Sequence, residues 1–364
     1  MSNTFMARIA AAALVASALA AGTASATTLY TQTNDAGGNA IQMFRAGANG
    51  ELTTAGTVST GGLGTSAGLG NQGALALAPD GHWLFAVNAG SNDISVFALG
   101  SGAPALVARV PSGGTRPVSL TVHEDLLYVL NAGGGGNIAG FRIGGNGRLG
   151  VVSGATRPLS SASAGAAQIA FDNTGDALVV TEKATNRISV YEIDHGRARG
   201  PKSYPSNGST PFGFGFDRRN TLVVSEAFGG GANASAVSSY DLTDEGERLQ
   251  LIDGSVPTAQ TAACWVIMAR HGRYAYTTNT GSGTVTGFGI DRSGRLARLS
   301  ADGRTGVTGG APTDGTTSPD GTTLFVLSPS IGTVTSFHVA ADGALQYQAA
   351  VAGTAATATG LVAR

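Results

Sequence analysis

The sequence predicts an all-β fold, a seven-bladed β-propeller, on three observations. A unit recurs along the chain at intervals of 43 to 54 residues. Each copy is built from short runs that alternate apolar and polar residues, separated by Gly, Asn and Asp. Each copy's third run ends on an aromatic. Four short strands per 40–50 residues is the signature of a propeller blade.

The unit is clearest in "GALALAPDGHWLFAVNAGSNDISVFAL", where two strands meet at a Pro79–Gly81 turn and a third follows a glycine-rich turn. It returns as "SLTVHEDLLYVLNAGGGGNIAGFRI", "AQIAFDNTGDALVVTEKATNRISVYEI", "FGFGFDRRNTLVVSEAFGGGANASAVSSYDL", "CWVIMARHGRYAYTTNTGSGTVTGFGI" and "DGTTSPDGTTLFVLSPSIGTVTSFHV". Period-two alternation and Gly/Asn/Asp turns are what hairpins require. The aromatics are Phe44, Phe97, Phe141, Tyr191, Tyr240, Phe288 and Phe337. The N-terminal copy, "TLYTQTNDAGGNAIQMF", lacks its first strand, and the C-terminal "TATGLVAR" supplies a matching one. Such a strand closes the ring and removes an open sheet edge.

Residues 1–26 carry Arg8, an apolar run from Ile9 to Ala21, and Ala24-Ser25-Ala26. The run is too short to span a bilayer, and a small-residue A-x-A site follows it. This predicts a signal peptide, export to the periplasm or beyond the cell, and one propeller domain over 27–364. Only 12% of residues are charged and the net charge is −1, which excludes the basic footprint of a nucleic-acid binder. Cys264 is the sole cysteine, so no intramolecular disulfide forms. A closed ring needs no partner for stability, so a monomer is expected.

The end of each second strand is a slot that reads Asn34, Asn88, Asn131, Glu182, Glu226, Asn279 and Ser328 in chain order. Antiparallel pairing sets this slot beside the entry to the innermost strand, on one face of the ring. The entry positions are Ala74, Ser119, Gln168, Gly213, Trp265 and Asp314. Polar groups converging there make that face the candidate site. Glu226 and Glu182, from adjacent blades, suit a general acid–base pair. Gln168, Phe212, Trp265, Asn279 and Asp314 are the candidate substrate contacts. Each has a plainer reading. Asn or Glu in the slot caps a turn, Glu182 pairs with Lys183 or Arg187 at the rim, and Trp265 is a packed plug. Cys264 reads as a small buried hydrophobe.

No cofactor signature is present. The histidines His82, His123, His195, His271 and His338 are isolated, with no HExxH or CxxC spacing. The glycine runs Gly133–Gly136 and Gly229–Gly231 lack the Lys-Ser/Thr of a phosphate loop. There is no G-x-S-x-G elbow. A cation in the channel stays open, because its ligands would come from separate blades.

The pattern N-x-I-x-x-F-x-I-x-x-x-G-x-L, the turns "NGRL" and "SGRL", and the glutamate of "VVSEA" resemble the lactonase family of seven-bladed propellers. That family includes 6-phosphogluconolactonase and carboxymuconate lactonizing enzyme. The resemblance spans "TLYTQTN" to "GLVAR", and "TPFGFGF" and "QTAACW" are similar to a secreted branch. It implies a histidine at the head of the fourth innermost strand, an Arg-His pair at the fifth, and an arginine after the sixth asparagine. This chain has Gln168, Phe212 with Gly213, and Thr280 there; Glu226 alone carries over. The resemblance therefore implies hydrolysis or formation of a small, weakly charged lactone rather than a phosphorylated one. The alternative is a non-catalytic propeller that binds a glycan, peptide or protein partner.

Overall fold

The computed structural model describes residues 27–243 and 248–364; the predicted leader, 1–26, lies outside them. Among the described residues the strands form seven antiparallel sheets of four or five strands, in chain order around a ring. Blade four is representative. From the channel outward it runs Ala166–Phe171, Ala177–Glu182, Arg187–Asp194 and Arg197–Pro205. In blades three and six the outermost strand is split into two short pieces, Leu149–Val151 with Arg157–Pro158 and Leu296–Arg298 with Gly306–Val307.

The ring closes as predicted. Thr359–Ala363 pairs antiparallel with Thr27–Gln32 and becomes the innermost strand of blade one. Thr28 and Arg364 lock the closure with reciprocal backbone hydrogen bonds of 2.8 and 2.9 Å. No free edge remains at the junction.

Packing follows the repeat. Every third-strand aromatic is buried, and each faces one residue of the second strand: Leu29↔Phe44, Leu84↔Phe97, Leu127↔Phe141, Leu178↔Tyr191, Leu222↔Tyr240, Ala275↔Phe288 and Leu324↔Phe337. Burying a Phe or Leu in this way is worth roughly 1.5–3 kcal/mol per side chain. The register corrects one slot assignment. Gln32 pairs with Ile41, and the Thr33 amide donates to Ala40, so Thr33 and not Asn34 occupies the slot of blade one. Asn34 has already turned into the left-handed region at φ 53°. The extra residue of the "DAGGN" hairpin hid that offset.

Innermost strands enter the channel irregularly. The pairing register shifts between Pro117 and Ser119, Ala166 and Gln168, Pro211 and Phe214, and Ala263 and Trp265. Such bulges re-aim side chains, here at the end of the channel next to the slots.

Candidate functional site

The slot side chains do not converge on the channel. They are buried between their own blade and the segment that leads into it, and the choice between Asn and Glu follows from the groups around each. Asn88 Nδ2 donates to Asp93 Oδ1 at 2.6 Å and Ser95 Oγ at 2.8 Å. Asn131 Nδ2 donates to Asn137 Oδ1, and Asn279 Nδ2 to Thr284 and Thr286 hydroxyls. The first residue of the third strand is an acceptor in each case. In blades four and five that residue is Arg187 or Ala236, which offers no acceptor. Donors surround the slot instead, and a carboxylate accepts them all.

Glu182 takes the amide of Ser160 at 3.0 Å, the hydroxyls of Thr185 and Ser189 at 2.8 Å each, and the Ser160 hydroxyl. Glu226 takes the amide of Gly208 at 2.8 Å, Ser238 Oγ at 2.6 Å and Ser255 Oγ at 2.7 Å. Both side chains are completely buried. The structure thus buries both predicted catalytic carboxylates, and Asn279 with them, and engages them in hydrogen bonds within the protein. Sequence periodicity located the slot correctly but carries no information on which way its side chain points.

The other four predicted residues do meet in the channel, around a segment the sequence reading passed over. The link from blade one to blade two spans residues 60–74, against 112–116, 206–210 and 258–262 elsewhere. Its extra length carries Leu69–Gly73 across the channel, where it bonds to blade after blade. Asn71 donates to the Val118 carbonyl and accepts from Thr359 Oγ1 at 3.1 Å. The Gln72 amide donates to the Ala167 carbonyl at 3.1 Å. Trp265 Nε1 donates to the Asn71 carbonyl at 2.7 Å. Gly73 N donates to Asp314 Oδ2 at 3.3 Å, and its carbonyl accepts from Leu120 at 2.8 Å. Gly213 completes the seat. A Cβ there would lie 2.1 Å from Gln72 Oε1 and 2.6 Å from the Cys264 carbonyl. Glycine stands at this family site because the plug fills the space.

Trp265 therefore anchors the plug and is no stacking platform. It is buried, with Phe212 tilted against it at 4.9 Å between ring centroids. Gln168 spends its amide on one backbone unit, Oε1 accepting from Phe214 N at 2.7 Å and Nε2 donating to Phe214 O at 3.1 Å. Among the described residues Asp314 has only the amides of Gly73 and Gly315 as partners, and burial pushes its carboxyl up to about 7.

Lys183, read in the sequence only as a rim partner of Glu182, stands instead against the plug. It directly follows the slot Glu182, projects over the Phe212 ring at 4.7 Å, and donates to the Gly70 carbonyl of the plug. Burial pulls its ammonium down to about 8; the Cys264 thiol beside it opposes the shift and Arg116 adds to it. Cys264 is itself pushed up to about 12 by burial, which makes it inert. Lys183 stays partly exposed, so the plug's outer surface and this amine form the mouth of the channel. Among the described residues no group of three or more His, Cys, Asp or Glu is placed to hold a metal ion.

A family model described as "Lactonase, 7-bladed beta-propeller" matches residues 37–154 and 226–360. The chain belongs to this family. The lactonase-family fold is shared with a putative 6-phosphogluconolactonase from Bacteroides fragilis NCTC 9343, at 20% identity and a TM-score of 0.74 over 94% of this chain and 99% of that one. A periplasmic gluconolactonase from Pseudomonas aeruginosa is similar at 18% identity and a TM-score of 0.73, over 93% and 99%. The same propeller is seen in a selenium-binding protein from Sulfolobus tokodaii described as hypothetical, at 11% identity, a TM-score of 0.65, and 93% and 94% coverage. No curated protein matches the chain. In this lactonase-family member the stretch 155–225, between the matched segments, holds Gln168, Lys183, Phe212 and Gly213. The mouth is where it departs from the family pattern.

Proposed function

We propose that this protein is an exported lactone hydrolase that opens small, weakly charged lactones at the Lys183 mouth. The observation that carries this is an amine held near neutrality, partly exposed, in a family of lactonases. A lysine lowered to about 8 is neutral in a usable fraction at pH 7 to 8 and fits general-base work. The neutral Lys183 amine takes a proton from water as the oxygen attacks the lactone carbonyl. The ring C–O bond then breaks, and the leaving alkoxide recovers the proton from the Lys183 ammonium. The products are a carboxylate and a hydroxyl, with one proton released. Arg116 lies close enough to influence Lys183 and offers the new carboxylate a cation.

The test is acid release from a lactone panel by wild type, Lys183→Met and Glu226→Gln. The proposal expects Lys183→Met to lose at least about a hundredfold in kcat/KM, the scale of a removed general base. Glu226→Gln should change stability rather than turnover in the fraction that is folded. A folded Glu226→Gln protein without activity, beside an active Lys183→Met, overturns the assignment.

A second reading, non-catalytic binding of a glycan, peptide or protein partner, draws on the plug. With Leu69–Gly73 filling the channel, the mouth is shallow and suits a ligand presented from outside. Absence of turnover on every lactone, with saturable binding of such a ligand at the mouth, would select it.

A further inference from the structure

The opposite end of the channel, where the first and second strands of each blade turn, holds a cavity of about 440 Å³. Blades four to seven build it, through Asn173, Phe216, Arg218, Met268, His271 and Thr317 among others. Its size falls in the range of small-molecule sites. Nothing in the lactone reading uses it.

Phe216 ends one innermost strand, Met268 is the last residue but one of another, and together they give the cavity a partly exposed apolar wall. The charges around that wall are unbalanced. Asp217, its one acidic member, is buried and already answered: Arg219 pairs with it at 2.9 Å, and the amides of Arg219 and Thr221 donate at 2.8 and 2.9 Å. Arg270 is spent on the Val339 carbonyl. Arg218 and His271 have no hydrogen-bond or ion-pair partner among the described residues. The backbone presenting His271 is unusual as well. Arg270 and His271 are consecutive non-glycine residues in the left-handed region, at φ 46° and 58°. Such conformations persist only where the surroundings fix them.

An unpaired guanidinium beside an aromatic and a thioether wall has a definite chemical complement. The planar fork takes a carboxylate through two parallel hydrogen bonds. The apolar wall takes the body that carries it. We propose that this turn-face cavity is a second ligand site, for a small organic monocarboxylate with an apolar body. Arg218 grips the carboxylate, Phe216 and Met268 cover the body, and His271 and Asn173 close the rim.

The probe is benzoate, titrated into the full mature protein and followed by amide chemical shifts, with benzyl alcohol as the uncharged control. Saturable shifts at Asn173, Met268 and Thr317 are expected, with a Kd on the order of 1 mM or below, typical of a ligand this small. Arg218→Met, an exposed substitution that leaves the core alone, should weaken binding about tenfold or more, and benzyl alcohol should not saturate. Lys183→Met should leave benzoate binding unchanged, because that residue stands at the other end of the channel. Loss of binding in Lys183→Met would move the acid to the mouth and overturn the proposal. So would equal binding by Arg218→Met, or no saturation at these amides by about 50 mM, which bounds Kd far above any useful site.

Discussion

Gln72 pairs its side-chain amide with the backbone of Val266, from the far side of the ring. Its Nε2 donates to the Val266 carbonyl at 2.7 Å, and its Oε1 accepts from the Val266 amide at 3.0 Å. A link between blades one and two is thereby fastened to blade six. The propeller is held across its axis as well as around its circumference, and this pairing decides what the channel can do.

The cross-channel pair makes Gln72 and Gly213 interdependent. Gln72→Ala should cost about 1–3 kcal/mol, since it leaves the buried Val266 amide and carbonyl unpaired. Gly213→Ala should cost at least as much, because the new methyl would meet Gln72 Oε1 at 2.1 Å. In a double-mutant cycle by urea unfolding the two should couple by more than about 0.5 kcal/mol. Relief should be incomplete, because the Cys264 carbonyl also stands 2.6 Å from that methyl.

The slot glutamates are structural acceptors. Glu182→Gln and Glu226→Gln each put an NH₂ group among donors, and each should destabilise by roughly 1–3 kcal/mol in denaturant unfolding. A pair of substitutions with no loss of stability would contradict the hydrogen-bond assignment.

Blade seven carries the opposite defect. Ser328 is too short for the bonds that Asn279 makes one blade earlier, and both Ser328 Oγ and Thr333 Oγ1 are buried without a partner. Ser328→Asn should let Nδ2 reach Thr333 and Thr335 and should raise stability by about 1 kcal/mol. Thermal unfolding checks the sign.

Asp314 gives the fold a pH dependence of stated direction. Its carboxyl titrates near 7 in the folded chain against an ordinary value of 3.8. The folded state therefore holds the proton more tightly, and stability is greatest below about pH 4 and falls as pH rises toward 7. Asp314→Asn should flatten that fall and stabilise the protein at pH 8 by up to roughly 4 kcal/mol, the linkage limit for a shift of this size. A pH series of urea midpoints tests it.

The ring was legible because its causes repeat. A buried aromatic such as Tyr191 or Phe288 must recur wherever a third strand packs on a second, and the sequence shows it each time. The site was less legible because its causes occur once. Gln168, Trp265 and Asp314 were named from the antiparallel register, with Phe212 as the neighbour of Gly213. Glu182 and Glu226 stood out because they depart from the repeat, and such a departure marks a change in local donors as readily as a site. Lys183 lies beside Glu182 in sequence, yet its lowered basicity comes first from burial and then from Arg116, and only folding supplies either. A signal for the plug was present, in the long "TGGLGTSAGLGNQGA" link, which is at least twice the length of any other blade junction.

The most direct test of the account is the titration of Lys183. Lys183 and Lys202 are the chain's two lysines, so a ¹³C-lysine-labelled protein gives a spectrum with little to assign. The account predicts that the signal abolished by Lys183→Met titrates near pH 8, while the Lys202 signal remains in that variant. A Lys183 signal unchanged until above about pH 10, the ordinary lysine value, would contradict the claim that the mouth is built around a poised amine.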